Sequence, residues 1–259
     1  MEGMIYYTVK LLGNELHVET IIATWALMIF LIILILTVRK TFKVIPGKIQ
    51  TVLETVIGFF NEQAEAIIGP EGRSYTPIVF FIFITVLFFN WMGLLPSEFH
   101  INHVYILAPP TRDVNTTLAL AMFTVIAFNY YGFKKKGIDY FKHFIEPVPE
   151  ILKTMPIYLK WLAIPLTALF LVLNIVELLA RVLSLTIRLF GNIMGEHIIA
   201  ASLILFTIVV LKLFVVAGLV TYLLPLFVFF LSIVTGAVQA FIFAMLTLTY
   251  ISGAIAEHE

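Results

Sequence analysis

The 259-residue sequence contains no cysteine and little charge. The absence of cysteine excludes disulfides, thiolate metal sites and cysteine catalysis. Only 12% of the residues are Asp, Glu, Lys or Arg, whereas soluble domains contain about 25%. The formal net charge is zero, so the overall charge does not suggest a nucleic-acid partner.

Apolar residues are what the sequence has in excess. They make up 61% of the chain, and many lie in runs of about 20, long enough for a helix to cross a hydrocarbon core of about 30 Å. The composition therefore predicts an all-α integral membrane protein. We interpret residues 1–259 as a single polytopic membrane domain.

Breaks in hydropathy divide the chain into an outside N-terminal segment and six helical segments. The segment 46–69 is too charged to cross a membrane, and its apolar residues recur at helical spacing, so it is predicted to lie at the interface. Further breaks are expected near Lys212 and Pro225. The complete prediction is an N-terminal segment at 1–19, spans at 20–38, 76–96 and 115–133, an interfacial amphipathic helix at 46–69, and long tilted helices at 161–211 and 217–255.

The basic residues indicate how the chain is oriented. If the N-terminus is outside, eleven of the sixteen Lys and Arg residues lie in inside segments. Lys10, Arg112 and Lys212 then lie outside, while Arg181 and Arg188 fall within apolar runs. Because cytoplasmic loops are enriched in Lys and Arg, we predict about five crossings, with the N-terminus outside and the C-terminus in the cytoplasm.

The last two predicted helices are too long to stand upright in a membrane. Residues 161–211 provide about 50 helical positions, or roughly 75 Å at 1.5 Å per residue. A helix of that length must tilt well beyond the usual ~20°, and the same applies to 217–255. Both helices are expected to form an oblique hairpin with another protein covering one side.

One arginine lies inside the most apolar part of the chain. Arg188 belongs to the stretch LTIRLFGNIMGEHIIA, residues 185–200. A charge at the membrane centre costs at least ~2.5–3.5 kcal/mol, and arginine keeps its proton in proteins. Glu177 lies four residues before Arg181, which predicts a local ion pair. Arg188 then lacks an obvious carboxylate, which indicates a partner on another subunit; a structural tie between helices is the alternative.

Polar and small residues form one stripe on each long helix. If the chain turns near residues 212–214, Arg188 and Gln239 are equidistant from the turn and lie at the same depth. His197 is about half a helical turn around from Arg188 and points away from its stripe, with Glu196 between the two faces. The stripes consist of Glu177, Arg181, Ser184, Arg188, Gly191, Asn192 and Gly195 on the first helix, and Ser232, Thr235, Gly236, Gln239 and Phe243 on the second.

Several motifs resemble one known family. In chain order they are PGKIQTVLETVIGF, FNWMGLLP, PTRDVNTTLALA, SLTIRLFGN at 184–192 and QAFIFAMLTLTYISGAIAEHE at 239–259. They are similar to subunit a of the F-type rotary ATP synthase, and the resemblance covers nearly the whole chain. The motif around Arg188 and the C-terminal motif are the specific ones.

The resemblance implies a function without a cofactor or metal. Arg188 would face the carboxylates of a c-ring and separate two aqueous half-channels, so that proton flow turns the ring and drives ATP synthesis. The chain would belong to a proton-transporting two-sector ATPase without catalysing ATP chemistry itself, since it contains no glycine-rich phosphate loop. Implied partners are the c-ring, the peripheral-stalk b subunits, the remainder of the complex and the lipid bilayer. The short N-terminus and His197 favour the bacterial plasma (inner) membrane.

The resemblance also assigns roles to polar residues near Arg188. Asn192 and Gln239 match the family's polar neighbours of the arginine and would shape the site of deprotonation. His197 and Glu196 fall where members carry groups of the outside half-channel, and a side chain that titrates near neutral pH suits proton relay. The structural alternatives are a helix–helix hydrogen bond for Gln239 and satisfied interhelical contacts for the other two.

Other positions are less decided. Asp113 and Asn115 match an Asp-x-Asn motif that either lines the outside channel or caps a helix. Many family members carry an acid where this chain has Asn174; Glu177, one turn later, either replaces it or only pairs with Arg181. Some members place a titratable residue where this chain has Gly93 or, seven residues before Gln239, Ser232.

Three other kinds of protein fit this sequence less well. A secondary transporter usually has inverted repeats and paired broken helices, which the sequence lacks. A proton-translocating subunit of a redox complex usually has more crossings and buried lysines, and a structural anchor needs no polar cluster at one depth. His100 and His103 lack an evident third ligand, so no metal site is expected.

Overall fold

A computed structural model describes residues 8–11, 14–41, 46–94, 100–101, 104–105, 110–140, 163–211 and 217–256. Most of these residues are α-helical, and each helix overlaps one of the helical segments predicted from the sequence. The helical fold class is therefore confirmed. The helices are α1 (Val18–Thr41), α2 (Lys48–Ile68), α3 (Thr76–Met92), α4 (Val114–Lys136), α5 (Ala163–Leu211) and α6 (Ala217–Ile255).

Two short hairpins lie in polar segments outside the helices. Thr8–Leu11 (β1) pairs antiparallel with Asn14–His17 (β2). Between α3 and α4, His100–Ile101 (β3) pairs antiparallel with Val104–Tyr105 (β4). Isolated two-stranded hairpins add little stability, so the fold depends on the packing of its helices.

Within the described ranges, three helical segments are long and apolar enough to cross a membrane. They are Val114–Tyr140, Pro165–Gly195 and Leu226–Ile255. Shorter apolar helical segments occur at Ile21–Ile33 and Thr76–Met92. These lengths and compositions fit a membrane protein, because a helix of about 20 apolar residues matches the hydrocarbon core.

The two longest helices are close to the lengths predicted from the sequence. α5 has 49 residues and α6 has 39, which correspond to about 73 and 58 Å. The break expected near Pro225 is wrong, since α6 is helical from Ala217 through that proline. A proline removes one backbone hydrogen bond, and the remaining bonds of a long helix can carry it past that position. The break expected near Lys212 falls at 212–216, outside the described residues.

A hydrophobic cluster fixes α5 against the rest of the fold. It brings four helices together, and all of its buried members are at most 9% exposed. Leucines four residues apart on α5 enter it, since side chains at this spacing share one helix face. Its members include Ile82 and Val86 of α3, Leu120 and Ala121 of α4, Leu185 and Leu189 of α5, and Ala240 and Phe243 of α6.

The connection from α2 to α3 is a short 3₁₀ turn, Pro70–Ser74. Gly69 ends α2 at φ 97°, and its N–H donates to the Glu65 carbonyl at 2.8 Å. Gly72 packs directly on α2, where an added Cβ would lie 2.1 Å from the carbonyl oxygen of Ala64. The turn can approach α2 this closely only because residue 72 has no side chain.

Replacing Gly72 with Ala should destabilise this corner. We expect a loss of about 1–3 kcal/mol, typical of overpacking, because the backbone of α2 must move away. The measurement is the thermal unfolding midpoint of the protein purified in detergent. Gly58→Ala is the control, since a Cβ there has nothing within 4 Å and alanine favours helix by up to about 1 kcal/mol. Equal midpoints for the two variants would contradict the packing described.

Candidate functional site around Arg188

Arg188 lies at the edge of the buried face of α5. Leu185, Leu189 and Ile193 are 1%, 0% and 3% exposed and point into the core. Arg188 is half-buried, whereas its neighbour Ile187 is 65% exposed on the lateral surface. Arg188 therefore lies at the border between the buried face and the exposed face of α5.

Arg188 has no carboxylate partner in the part of the chain that the structure describes. Within these residues, no hydrogen bond or ion pair joins it to Gln239, Asp113 or Glu177. A half-buried charge without a counter-ion is costly. The side chain therefore remains able to take an anionic partner.

Gln239 on α6 is the second unusual polar group. It is 7% exposed, and the side chains of Ala240 and Phe243, next to it and one turn later on α6, are fully buried. Its Nε2 group has no hydrogen-bond partner among the described residues. Buried polar atoms are nearly always hydrogen-bonded, so such an exception calls for an explanation. The amide can donate to a water or to a group from another molecule.

Helix α3 holds the face of α6 that carries Gln239. Asn90 Nδ2 donates to the Gly236 carbonyl at 3.2 Å, and Trp91 Nε1 donates to the Ile233 carbonyl at 3.3 Å. An added Cβ on Gly236 would lie 3.2 Å from the Asn90 Cβ, so the glycine permits this approach. Gln239 is one helical turn beyond Gly236. The two hydrogen bonds from α3 therefore fix the position of Gln239 along the helix axis relative to α3.

A cavity of about 200 Å³ lies between α5 and α6. Asn192, Ser232 and Thr235 give it polar groups, and no lining side chain titrates near neutral pH. Asn192 is one helical turn beyond Arg188, on the same stripe of α5. The cavity is lined by Gly191, Asn192, Gly195, Ile199, Val228, Leu231, Ser232 and Thr235.

Arg181, seven residues before Arg188, has its charge satisfied within the chain. It forms the predicted ion pair with Glu177. Its guanidinium carbon also lies 4.9 Å from the ring centroid of Tyr250 and 5.6 Å from that of Phe128. An arginine over aromatic faces gains cation–π attraction. This side chain therefore ties α5 to α4 and α6.

Asp113 and Asn115 meet at the start of α4. The side chain of Asp113 accepts a hydrogen bond from the backbone N–H of Asn115 at 2.9 Å, in the geometry of a helix N-cap. Next to them, the buried hydroxyl of Thr111 donates to the Phe89 carbonyl of α3 at 3.4 Å. Of the two roles considered for Asp113, the structure shows the cap.

Comparison with known proteins decides the family. The family described as ATP synthase A chain matches residues 20–252. The chain belongs to this family. It is 36% identical over 247 residues to ATP synthase subunit a of Gloeobacter violaceus, covering 95% of this chain and 87% of the relative. It is 38% identical over 251 residues to ATP synthase subunit a of Nitratidesulfovibrio vulgaris strain DP4, covering 97% and 91%. For ATP synthase subunit a of Moorella thermoacetica, identity is 32% over 241 residues, covering 93% and 92%.

The remaining predicted site residues of this ATP synthase A chain family member are only partly described. The backbone at Glu196 and His197 belongs to α5, but their side chains lie outside the described residues. His100 contributes its backbone to β3, and His103 falls outside the described ranges. Among the residues that were placed, no group of three His, Asp or Glu could hold a metal ion.

Sequence reasoning missed the contacts of Asn90, Trp91 and Tyr250. Asn90 and Trp91 occur in FNWMGLLP, which was noted only for its resemblance to the family. The available signal was the amide of Asn90 and the indole N–H of Trp91, two hydrogen-bonding groups in the predominantly apolar helix α3. Their partners are more than 140 residues away in sequence, so spacing alone could not identify them.

The cap on α4 makes a prediction about what position 113 requires. Asp113→Ala should lower stability by about 0.5–2 kcal/mol, whereas Asp113→Asn should retain nearly all of it, because Asn caps helices as well as Asp. Thermal unfolding in detergent measures both effects. If Asn were as harmful as Ala, the negative charge rather than the cap would be what the position requires.

Proposed function

We propose that this chain is the proton-translocating stator subunit of an ATP synthase, with Arg188 facing the carboxylates of a c-ring. The observation that carries the proposal is the half-buried charge of Arg188, which has no carboxylate partner among the described residues. Membership of the ATP synthase A chain family supports the complex in which the partner would be found.

The chemistry follows from moving a carboxyl group between two environments. A ring carboxyl group that faces lipid is protonated, because desolvation disfavours its charged form. Beside the guanidinium of Arg188 the carboxylate is favoured, and the proton leaves. Each charge that crosses the membrane contributes about 2.3 kcal/mol per 100 mV. Rotation of the ring then transmits this free energy to ATP synthesis in the catalytic head.

Arg188 would also separate two aqueous half-channels. Arginine does not release its proton in a protein, so it blocks protons without relaying them. A proton can then pass from one half-channel to the other only on a ring carboxyl group and only when the ring turns. The same residue therefore accounts for both deprotonation and tight coupling.

Arg188 and Gln239 are proposed to lie at one depth of an antiparallel helix pair. The lining of the cavity supports this register. Asn192 is four residues after Arg188, Thr235 is four residues before Gln239, and both border the same cavity. At that depth, the unpaired Nε2 of Gln239 would donate to the ring carboxylate or to a water beside it.

The lateral surface of α5 supports a large protein partner. No residue from 165 to 184 of α5 is buried within the chain. A helix as long as α5 must tilt strongly in a ~30 Å core, and a ring of helices would cover one side of it. We propose five crossings in the bacterial inner membrane, with the N-terminus outside and the C-terminus cytoplasmic, and the b subunits and the rest of the complex around them.

The polar residues beyond Arg188 are assigned to the proton path by family resemblance. Glu196 and His197 would relay protons in the outside half-channel, since His titrates near neutral pH. Glu177 is proposed to stabilise Arg181 and not to relay protons, because the two form an ion pair. Asp113 and Asn115 are proposed to shape the entrance of the outside channel through the cap on α4.

Replacing Arg188 with Ala in the assembled complex tests the proposal. ATP-driven acidification of inverted membrane vesicles should vanish, because nothing then deprotonates the ring carboxyl groups or separates the half-channels. Assembly and ATPase content should persist. After the soluble head is stripped, passive proton conduction should remain or rise.

Arg181→Ala is the matched control on the same helix. Arg181 is satisfied by Glu177 and two aromatic rings, so its loss should lower stability while ATP-driven acidification survives. If acidification survived in Arg188→Ala and was lost in Arg181→Ala, the proposed site would be wrong.

Gln239→Leu should separate function from stability. Removal of an unpaired buried donor is expected to leave the unfolding midpoint unchanged or higher. ATP-driven acidification should fall about tenfold, since a hydrogen bond to a charged group is worth about 1.5–3 kcal/mol. Unchanged acidification would mean that Gln239 only packs between helices.

A further inference from the structure

A second cavity lies at the C-terminal end of α4, away from Arg188. Its volume is about 380 Å³. It is formed where the last turn of α4 meets the 3₁₀ turn between α2 and α3. The lining residues are Glu71, Ser74, Tyr75, Tyr131, Lys134 and Lys135.

The charges in this cavity leave one positive charge in excess. Lys135 Nζ lies 2.6 Å from the Glu71 carboxylate, so these two groups offset each other. Lys134 forms no ion pair with a carboxylate in the described part of the chain. One excess positive charge balances the single negative charge of a phosphodiester. Ammonium groups also form short, strong charge-assisted hydrogen bonds to phosphate oxygens.

The outer face of α4 that leads to this cavity is apolar and exposed. Ile126, Tyr130 and Phe133 are 63%, 57% and 46% exposed and follow helical spacing. The face ends at Lys134, near Tyr75 and Tyr131, whose rings meet edge to face with centroids 5.1 Å apart. Tyrosines and lysines at the end of an apolar helix mark the level of lipid headgroups.

We propose that this cavity binds the headgroup of an anionic glycerophospholipid. The phosphodiester is held by Lys134 and Lys135, and an acyl chain runs along Ile126, Tyr130 and Phe133. Basic pockets beside membrane helices bind anionic headgroups in this way. The continuous apolar face selects a lipid over a free phosphate, since a soluble anion gains nothing from that surface. The proposal rests on the membrane placement of α4 given above and is independent of Arg188.

The test uses the intact complex in nanodiscs containing a trace of photoactivatable phosphatidylglycerol. After illumination, mass spectrometry measures lipid attached to peptides that contain residues 71–75 or 126–135. Unlabelled phosphatidylglycerol should compete, whereas phosphatidylcholine and soluble glycerol phosphate should not. Lys134→Gln should lower labelling about fivefold, in line with the contribution of one lysine to anionic-lipid attraction.

Lys136→Gln is the matched control, because it removes the same charge two positions beyond Lys134 without touching the cavity lining. It should lower labelling clearly less than Lys134→Gln does, because its charge acts only through the general attraction to the membrane surface. If both variants lost the same amount of labelling, general surface charge rather than the cavity would attract the lipid. If phosphatidylcholine competed equally well, the labelling would come from bulk lipid, and either result would overturn the proposal. Displacement by glycerol phosphate, or crosslinks to another subunit in place of the lipid, would also overturn the proposal. ATP-driven acidification should persist in Lys134→Gln, so failure here is distinguishable from failure of the Arg188 site.

Discussion

A guanidinium that cannot lose its proton, held at the edge of an apolar helix face, is the constraint on which the rest of the structure depends. The charge of Arg188 cannot be removed by deprotonation, and the described chain supplies no carboxylate for it. In the proposed function, the protein presents this charge to another molecule. The proposed partner would also cover residues 165–184 of α5, none of which is buried within the chain.

Arg188 can stay at a fixed depth in the membrane only if α5 is held rigidly by the other helices. Leu185 and Leu189 anchor one side of α5 in a cluster shared by four helices. On α6, the hydrogen bonds from Asn90 and Trp91 to backbone carbonyls set the position of the face that carries Gln239. Donors that bond to carbonyls cannot slide along a helix as apolar contacts can, so they fix register as well as distance.

Much of this arrangement follows from the sequence because its causes are local. Hydropathy gives the helices, and the i,i+4 spacing gives the Glu177–Arg181 pair that the structure contains. The contacts of Asn90 with Gly236, and of Arg181 with Tyr250, depend on how distant helices meet. Spacing carries no information about such meetings. Pro225 shows the converse error, since the local rule that a proline ends a helix does not hold within the 39-residue helix α6.

The two arginines of α5 show how one residue type can serve two purposes on one stripe. Arg181 has a carboxylate four residues before it and aromatic rings from two other helices beside it. Its charge therefore stabilises contacts within the fold. The positions four residues before and after Arg188 are Ser184 and Asn192, neither of which can neutralise it. An acid lies one helical turn from Arg181, whereas only neutral groups lie one turn from Arg188. This difference separates the structural arginine from the one that we propose to pair with another subunit.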